Sequence, residues 1–583
     1  MNFIENESAE KLRGGYYTDP LIARYLAGWA LAAGASSVLE PSCGDGAFIA
    51  AVSDLRPRGL KKLTACEILA EEAAKARVRS RQLPRATSID VICDDFLSWA
   101  LDGLERGARF DAVIGNPPFI RYQYLPEPAQ RRAEALFAHL DLPFTRHTNA
   151  WVPFVLASIS LLRPGGRLAM VVPAELLHVL HAQAVRTHLL RSCARVLVID
   201  PEDIWFQGTL QGVVLLLAER GDGKSQGSVG VVPVRGALAD LPDANAVFAA
   251  TAFVPGPMLE RKWTIALLHQ RERSLLNDLA QRPGFARFGE KAGAAVGIVT
   301  GANQFFLVPD AVVEAYGLQP FAHAMFGRSD HVQGVIYDDA QHERNRRSGL
   351  PTNFLWFTET DAKKALPAGA RRYVERGEAE RLQDRFKCRI RSPWYAVPSV
   401  FTSPVGMLKR SHDFPRLVLN EVGAFTTDTA YRVTPREGVR ADALVHSFVN
   451  SLTALSAELE GRHYGGGVLE LVPSEIARLQ LPPLVGGRRE LRELDRDVAG
   501  RSFSADELLA RADDRVLSKS LTQAERETLA GASRRLRHRR QRISSDEGSD
   551  NLDGEVGRSG VRKRIQPQLL LRDVDLAAEQ PGE

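Results

Sequence analysis

VLEPSCGDGAFI, residues 38–49, is the stretch whose reading decides the fold. An apolar strand runs into a short loop with glycines at 44 and 46, and the loop opens into an Ala-rich helix. Glycine lets a backbone pass close to a ligand, because no Cβ stands in the way. Working outward, apolar strand-like runs alternate with helical segments. Strands are expected at Ser37–Leu39, Leu63–Glu67, Ile89–Cys93, Asp111–Ile114, Arg167–Val172, Val196–Ile199 and Val213–Ala218. Helices are expected at Leu21–Ala33 and Ala150–Leu162, among others. This alternation implies an α/β fold with a mostly parallel sheet covered on both faces. Ligands then bind beyond the carboxyl ends of the strands.

Three strand ends carry acids. The first loop holds Glu40, Pro41, Gly44 and Asp45, the second strand ends in Glu67, and the third runs into CDDF with Asp95 and Phe96. Two carboxylates in a glycine loop suit a cationic ligand better than a pyrophosphate. S-adenosylmethionine, with a sulfonium and an ammonium, has the right sign. An acid about 20 residues past such a loop can accept both ribose hydroxyls. Asp95 can accept from an adenine amine and Phe96 can pack on its ring. Each feature also has a plainer account: a tight turn in another nucleotide fold, an exposed strand-end carboxylate, an Asp capping the next helix. Three acids at three successive strand ends favour a shared adenosine pocket.

FDAVIGNPPF, residues 110–119, delivers Asn116-Pro117-Pro118-Phe119 at the end of another apolar strand. Two prolines stiffen the loop. They would aim the Asn116 side-chain oxygen and the Pro117 carbonyl into the pocket as acceptors for the two hydrogens of an exocyclic amine. The nitrogen lone pair would then leave conjugation and attack a sulfonium methyl, with catalysis resting on position and fixed dipoles. Neither a metal nor a covalent intermediate is required. Phe119 would stack on an adenine flipped from a duplex. A surface Asn-Pro turn is the plainer account, but such a turn needs no buried strand before it.

At these residues the chain resembles the gamma-class amino-methyltransferases of DNA, the TaqI-like group of restriction–modification systems. The resemblance runs over most of residues 11–480. GGYYTDP, with Tyr16, Tyr17 and Thr18, is similar to the N-terminal motif that closes over the methionine end of the cofactor. VLEPSCGDGAF, ACE and DDF resemble the three cofactor motifs, and NPPF the catalytic one. By position, Phe154 would line the adenine pocket of the cofactor, and Phe206, in WFQGTLQGVVLLLAER, would support the target base. Core packing is the competing account of both. The resemblance implies a Rossmann-like class I S-adenosylmethionine-dependent methyltransferase domain, with Asn116, Pro117 and Phe119 catalytic. Thr18, Glu40, Pro41, Gly44, Glu67, Asp95, Phe96, Asn116 and Phe154 would bind the cofactor. It further implies adenine as target, because Asn opens the tetrapeptide. Phe rather than Tyr closes it, which keeps stacking and loses a phenol hydrogen bond.

From about Trp263 the strands become irregular. Three parts are expected: a catalytic domain over 1–262, a mixed α/β target-recognition domain over 263–487, and a charged helical tail over 488–583. Four segments resemble parts of large members' recognition domains: GIVTGANQFFLV, RSPWYAVPSVF, PRLVLNEVGAF and GRHYGGGVLELVP. They offer Arg391, Trp394, Asn420 and Tyr464 as DNA contacts, though core, turn and tight-loop roles compete. Ala505–Arg542 reads as helical, ending in a basic run at Arg534, Arg535, Arg537, Arg539, Arg540 and Arg542, which would bind phosphate or a partner protein, or be only a solvated helix end.

The 583 residues carry a formal charge of only +4, so any basic surface must be local. Five cysteines without metal-ligand spacing, no apolar leader and no run of bilayer length point to a cytoplasmic protein without membrane contact. Double-stranded DNA is the expected partner; since no nuclease motif is evident, the expectation is a separate restriction endonuclease rather than a fused one, or a solitary enzyme with none. Other readings stay open: protein-glutamine or RNA amine methylation, which uses a similar Asn-Pro-Pro-aromatic loop, and a non-catalytic DNA-binding subunit, against which the intact acid set argues.

Overall fold

Each of the seven expected strands forms, and the same alternation that marked them in the sequence divides the core. The computed structural model describes residues 18–120, 124–146, 148–201, 212–223, 226–259, 261–464 and 466–541, with the backbone alone at Tyr464. All described residues lie in one compact unit, within Met1–Arg542.

The strands are β1 (Ser37–Glu40), β2 (Lys62–Cys66), β3 (Ser88–Ile92), β4 (Phe110–Gly115), β5 (Leu162–Pro173), β6 (Cys193–Pro201), β7 (Val213–Arg220), β8 (Ser228–Val234) and β9 (Val254–Pro255). They make a nine-stranded sheet in the order β3-β2-β1-β4-β5-β7-β6-β8-β9. Strands β1 to β5 pair in parallel, and β7 lies antiparallel between β5 and β6. Side chains along a strand alternate between faces. Leu39, Val113, Met170, Val198 and Leu216 therefore enter one apolar cluster, while Val38, Ile114, Val171, Ile199 and Leu215 enter the other. With both faces covered, β4 and most of β7 are buried without interruption, as central strands should be.

Helices α1 (Pro20–Leu31) and α2 (Ala47–Leu55) cover one face; α4 (Phe96–Glu105), α5 (Glu127–His139), α6 (Trp151–Ser160) and α7 (Gln183–Ser192) cover the other. Helix α3 (Ala70–Ser80) follows β2. Asp19 starts α1 by accepting from the Leu21 amide at 2.7 Å, with Pro20 in the first turn, where a missing N–H costs nothing. Strand β5 begins five residues earlier than expected. Gly166 permits this, because a Cβ there would lie 3.0 Å from the Asp111 carbonyl oxygen. The strand order reverses between β1 and β4, and in α/β sheets the crevice at such a reversal binds ligands.

Beyond β9 the sheets are smaller. A five-stranded sheet joins Ala292–Ala295, Ala430–Pro435, Val405–Leu408, Leu417–Asn420 and Ile336–Tyr337, and sheets of four, three and two strands surround it. The apolar core does not stop at 262 or at 487. Trp263, α8 (Gln270–Gln281), α9 (Ser451–Glu460) and α12 (Gln523–Gln541) all add leucines or tryptophan to the cluster that contains Leu39 and Val113. Helix α10 (Arg488–Gly500) instead packs under the five-stranded sheet through Leu491 and Leu494.

The helical stretch expected from Ala505 is built as two helices, α11 (Ala505–Val516) and α12. A new start intervenes at Thr522: its hydroxyl accepts from the Glu525 amide at 3.3 Å, and the Glu525 carboxylate accepts from the Thr522 amide at 2.8 Å. This reciprocal cap is written in the sequence as Thr-x-x-Glu. Among the described residues no helix is long and apolar enough to cross a membrane.

Candidate active site

The carboxyl ends of β1, β2 and β4 lie side by side, and the loops leaving them are tied together. Gly44 and Gly46 take φ of 51° and 91°, left-handed values suited to glycine, so the chain turns within six residues from β1 into α2. The Glu67 carboxylate holds this turn: Oε2 accepts from the Gly44 amide and Oε1 from the Leu69 amide, both at 2.9 Å. The Cys43 amide donates to the Cys66 carbonyl at 2.9 Å, and Pro41 packs over Gly115 at the end of β4. The Ser42 hydroxyl donates to the Asn116 backbone carbonyl at 3.0 Å, and the Asn116 side-chain amide donates to the Thr18 hydroxyl at 3.2 Å. The glycine loop, the Asn-Pro-Pro-Phe loop and Thr18, two residues ahead of α1, thus form one hydrogen-bonded unit.

The acids differ in what they face. Asp45 pairs with Arg79 at 2.7 Å, so the cationic-ligand reading cannot rest on it. Glu40 is 1% exposed, and neither of its oxygens has a hydrogen-bond partner among the described residues. Burial first, then the nearby charges of Asp45 and Glu67, push its carboxyl well above the usual carboxylate range. A buried carboxylate without donors is costly unless a cation or donor arrives.

Asp95 caps α4, accepting from the Ser98 amide at 2.9 Å, and stands 3.4 Å from Arg132. The capping role weighed above is therefore real, and one carboxylate oxygen is committed to it. Phe96 and Phe154 meet, with ring centroids 5.1 Å apart. Phe154 is the one residue of α6 that is not buried, so it is not simple helix core. Phe119 is half-buried between the two apolar clusters. Ser42 and Arg79 were missed in the sequence, since a serine in a glycine loop and an arginine on a charged helix carry no distinguishing pattern.

The expected DNA contacts fare differently. Phe206 and the Tyr464 side chain lie outside the described residues, as do Tyr16, Tyr17 and Arg542. Asn420 is corrected to a structural role. It is buried, its amide donates to the Ser403 and Ala424 carbonyls at 2.9 and 2.8 Å, and its oxygen accepts from the Ala424 amide at 2.9 Å. Its hydrogen bonds serve a turn, leaving none to present to a base. Arg391 likewise donates to the Thr300 and Val299 carbonyls at 2.7 and 2.8 Å. Trp394 packs on Phe305 with centroids 5.1 Å apart, and its indole N–H faces Glu378. The basic run on α12 turns inward too. Arg535 pairs with Glu272 at 2.6 Å, Arg537 with Asp506 at 2.7 Å, Arg540 with Glu458 at 2.7 Å, and Arg539 with Asp200. These four arginines are neither a solvated end nor an open phosphate site, because acids from elsewhere in the chain already occupy them.

Two family descriptions match successive stretches: Eco57I restriction-modification methylase over residues 62–204, and Type II methyltransferase M.Eco57I, C-terminal domain, over residues 260–517. Type II methyltransferase M.XamI of Xanthomonas campestris pv. amaranthicola is 24% identical over 480 residues, covering 81% of this chain and 85% of that protein. A tRNA1(Val) (adenine(37)-N6)-methyltransferase of Enterobacter sp. (strain 638) is 31% identical over 94 residues, 16% of this chain and 37% of that protein. Among solved structures, the type IIL restriction-modification enzyme MmeI in complex with DNA shares the fold at a TM-score of 0.52 and 11% identity, covering 88% of this chain and 74% of MmeI. The class I methyltransferase sheet with its mixed α/β second half, and the two family matches placed in order along it, make the chain a member of the DNA methyltransferases of restriction–modification systems.

Proposed function

We propose that this protein transfers a methyl group from S-adenosylmethionine to the N6 amine of an adenine flipped out of duplex DNA. The observation that carries the reading is the donor-less, buried Glu40 carboxylate in a loop hydrogen-bonded to Asn116. It fits the cofactor: Glu40 would meet the ammonium, Glu67 the ribose hydroxyls with its remaining lone pairs, and Phe96, Phe154 and Asp95 the adenine. Pro41 and Gly44 shape the wall. The group supplies an electrophilic methyl on a sulfonium.

The chain's own residues do the rest. Thr18 takes one N–H of the Asn116 amide and so fixes its rotation. The Asn116 side-chain oxygen and the Pro117 carbonyl accept the two amine hydrogens. Held by these two acceptors, the amine nitrogen would present its lone pair out of the ring's conjugation toward the methyl that the cofactor would supply, and the amine proton would leave to solvent. Phe119 stacks on the base and recovers part of the cost of extrusion.

DNA rather than RNA or protein is favoured by length. The similarity to M.XamI continues through the second half, whereas that to the tRNA enzyme spans 94 residues. The relative whose name states its atom is an adenine-N6 enzyme. MmeI is similar in both halves and was solved with DNA. Catalysis is assigned to 1–262 and target reading to 263–487, with any endonuclease a separate chain. The test is labelled-methyl transfer. Wild-type protein should label adenine N6 in duplex DNA, and Asn116→Ala should lose about 100- to 1,000-fold in rate with cofactor affinity retained. Label appearing in tRNA or a glutamine side chain instead of DNA would overturn the reading.

A further inference from the structure

Residues 381–391, RLQDRFKCRIR, hold five cations and one acid, a net +4 that equals the formal charge of the whole chain. Arg381 pairs with Asp384 at 2.7 Å. Among the described residues Arg385, Lys387 and Arg389 have no acidic partner, in contrast to the arginines of α12. Lys387 and Arg389 lie over the Phe386 ring, at 5.5 and 5.3 Å from its centroid. Phe386 is 50% exposed, Ile390 66% and Phe401 57%.

These side chains stand on a rigid base. Cys388, on the short helix Phe386–Arg389, is buried against the loop at Thr300. Gly301 has φ of 78°, and a Cβ there would lie 2.7 Å from the Lys387 Cβ, so the loop admits the helix only as glycine. Arg391 clamps the Val299 and Thr300 carbonyls from the other side. Phe401, with the Arg432 guanidinium 5.1 Å from its ring centroid, is a further exposed aromatic paired with a cation.

Single exposed apolar residues are ordinary; large ones held rigidly among unpaired cations are not. An apolar partner surface would leave the cations stranded, and a purely ionic contact would leave the rings wet. A nucleic-acid duplex satisfies both, since phosphates take the cations and base steps take apolar tips. We infer that Phe386 and Ile390, flanked by Arg385, Lys387 and Arg389, form a wedge that enters a groove of the DNA and props it beside the target. This rests on the DNA reading given above.

The two kinds of contact separate by salt. Binding of the full-length variants is measured by fluorescence anisotropy, from low to physiological salt, on a labelled duplex carrying a site the wild type methylates. Phe386→Ala/Ile390→Ala should weaken binding by roughly ten-fold with the salt slope unchanged. Lys387→Gln/Arg389→Gln should lower the slope of log Kd against log salt by about 1 to 2. If wild type methylates and both variants keep its affinity and slope, the wedge is wrong and the methyltransferase stands. If wild type neither binds nor methylates duplex DNA, both fall.

Discussion

Glu40 and Glu458 are equally buried carboxylates that have met opposite fates. Both Glu458 oxygens receive Arg540, at 2.7 to 3.1 Å, and the Glu458 backbone carbonyl is 3.3 Å from the ring of His463. The Glu40 oxygens receive nothing among the described residues. Burial of a charge is the same physical event in both places, and only the partner differs. Where the partner is built in, as along α12, the charge locks distant parts of the chain together and has no capacity left for a ligand. Where it is left out, at the reversal of strand order, the protein stores an unmet demand that a cation can answer. Deep burial with a partner marks structure here, and deep burial without one is what recommends Glu40 as part of the proposed cofactor site.

The contrast can be broken most forcefully at the paired end. Glu458→Gln strands the Arg540 guanidinium in the interior and should cost about 3–5 kcal/mol of stability, read by denaturant unfolding. The double variant Glu458→Leu/Arg540→Met should recover most of that loss, and no recovery would mean that the pair does more than compensate its own charges.

At the unpaired end the sign reverses. Glu40→Gln removes an uncompensated carboxylate and should stabilise the cofactor-free protein by about 1–3 kcal/mol near neutral pH, while weakening cofactor binding at least about ten-fold. Because Glu40 is held above its unfolded pKa, the folded state keeps its proton longer. The stability of the cofactor-free wild type therefore falls as pH rises from the ordinary carboxylate range through the folded value. Cofactor binding, which needs the ionised form, tightens over the same window. Glu40→Gln should flatten both profiles, and titration calorimetry against pH checks them.

The smallest effect is expected at the rim of the paired region. Arg534 is half-exposed and pairs with Asp506 at 3.1 Å. Arg534→Ala should change stability by no more than about 0.5 kcal/mol. A larger loss would show that the α12 arginines act as one network rather than as buried pairs with an exposed fringe.

The first half was legible because its constraints are local. A strand, a glycine turn and an acid lie within VLEPSCGDGAFI, and a strand with its stiff acceptor loop within FDAVIGNPPF. Alternating burial of both sheet faces follows from the order of apolar runs alone. The second half was less legible, because its polar residues are defined by what they touch. Asn420 has the side chain of a base reader and the hydrogen bonds of a turn.

Sequence alone determined the fold class and the motifs at the strand ends that carry the family resemblance, since backbone stiffness, side-chain alternation and charge sign are properties of neighbouring residues. Tertiary structure decided which charges are available. The acids that consume the α12 arginines lie 31, 82, 263 and 339 residues away in the chain, at Asp506, Glu458, Glu272 and Asp200. The cations around Phe386 are left open by the same folding. A charge is free or spent only relative to what the fold brings within a few ångströms of it, and separation along the chain carries no trace of that distance.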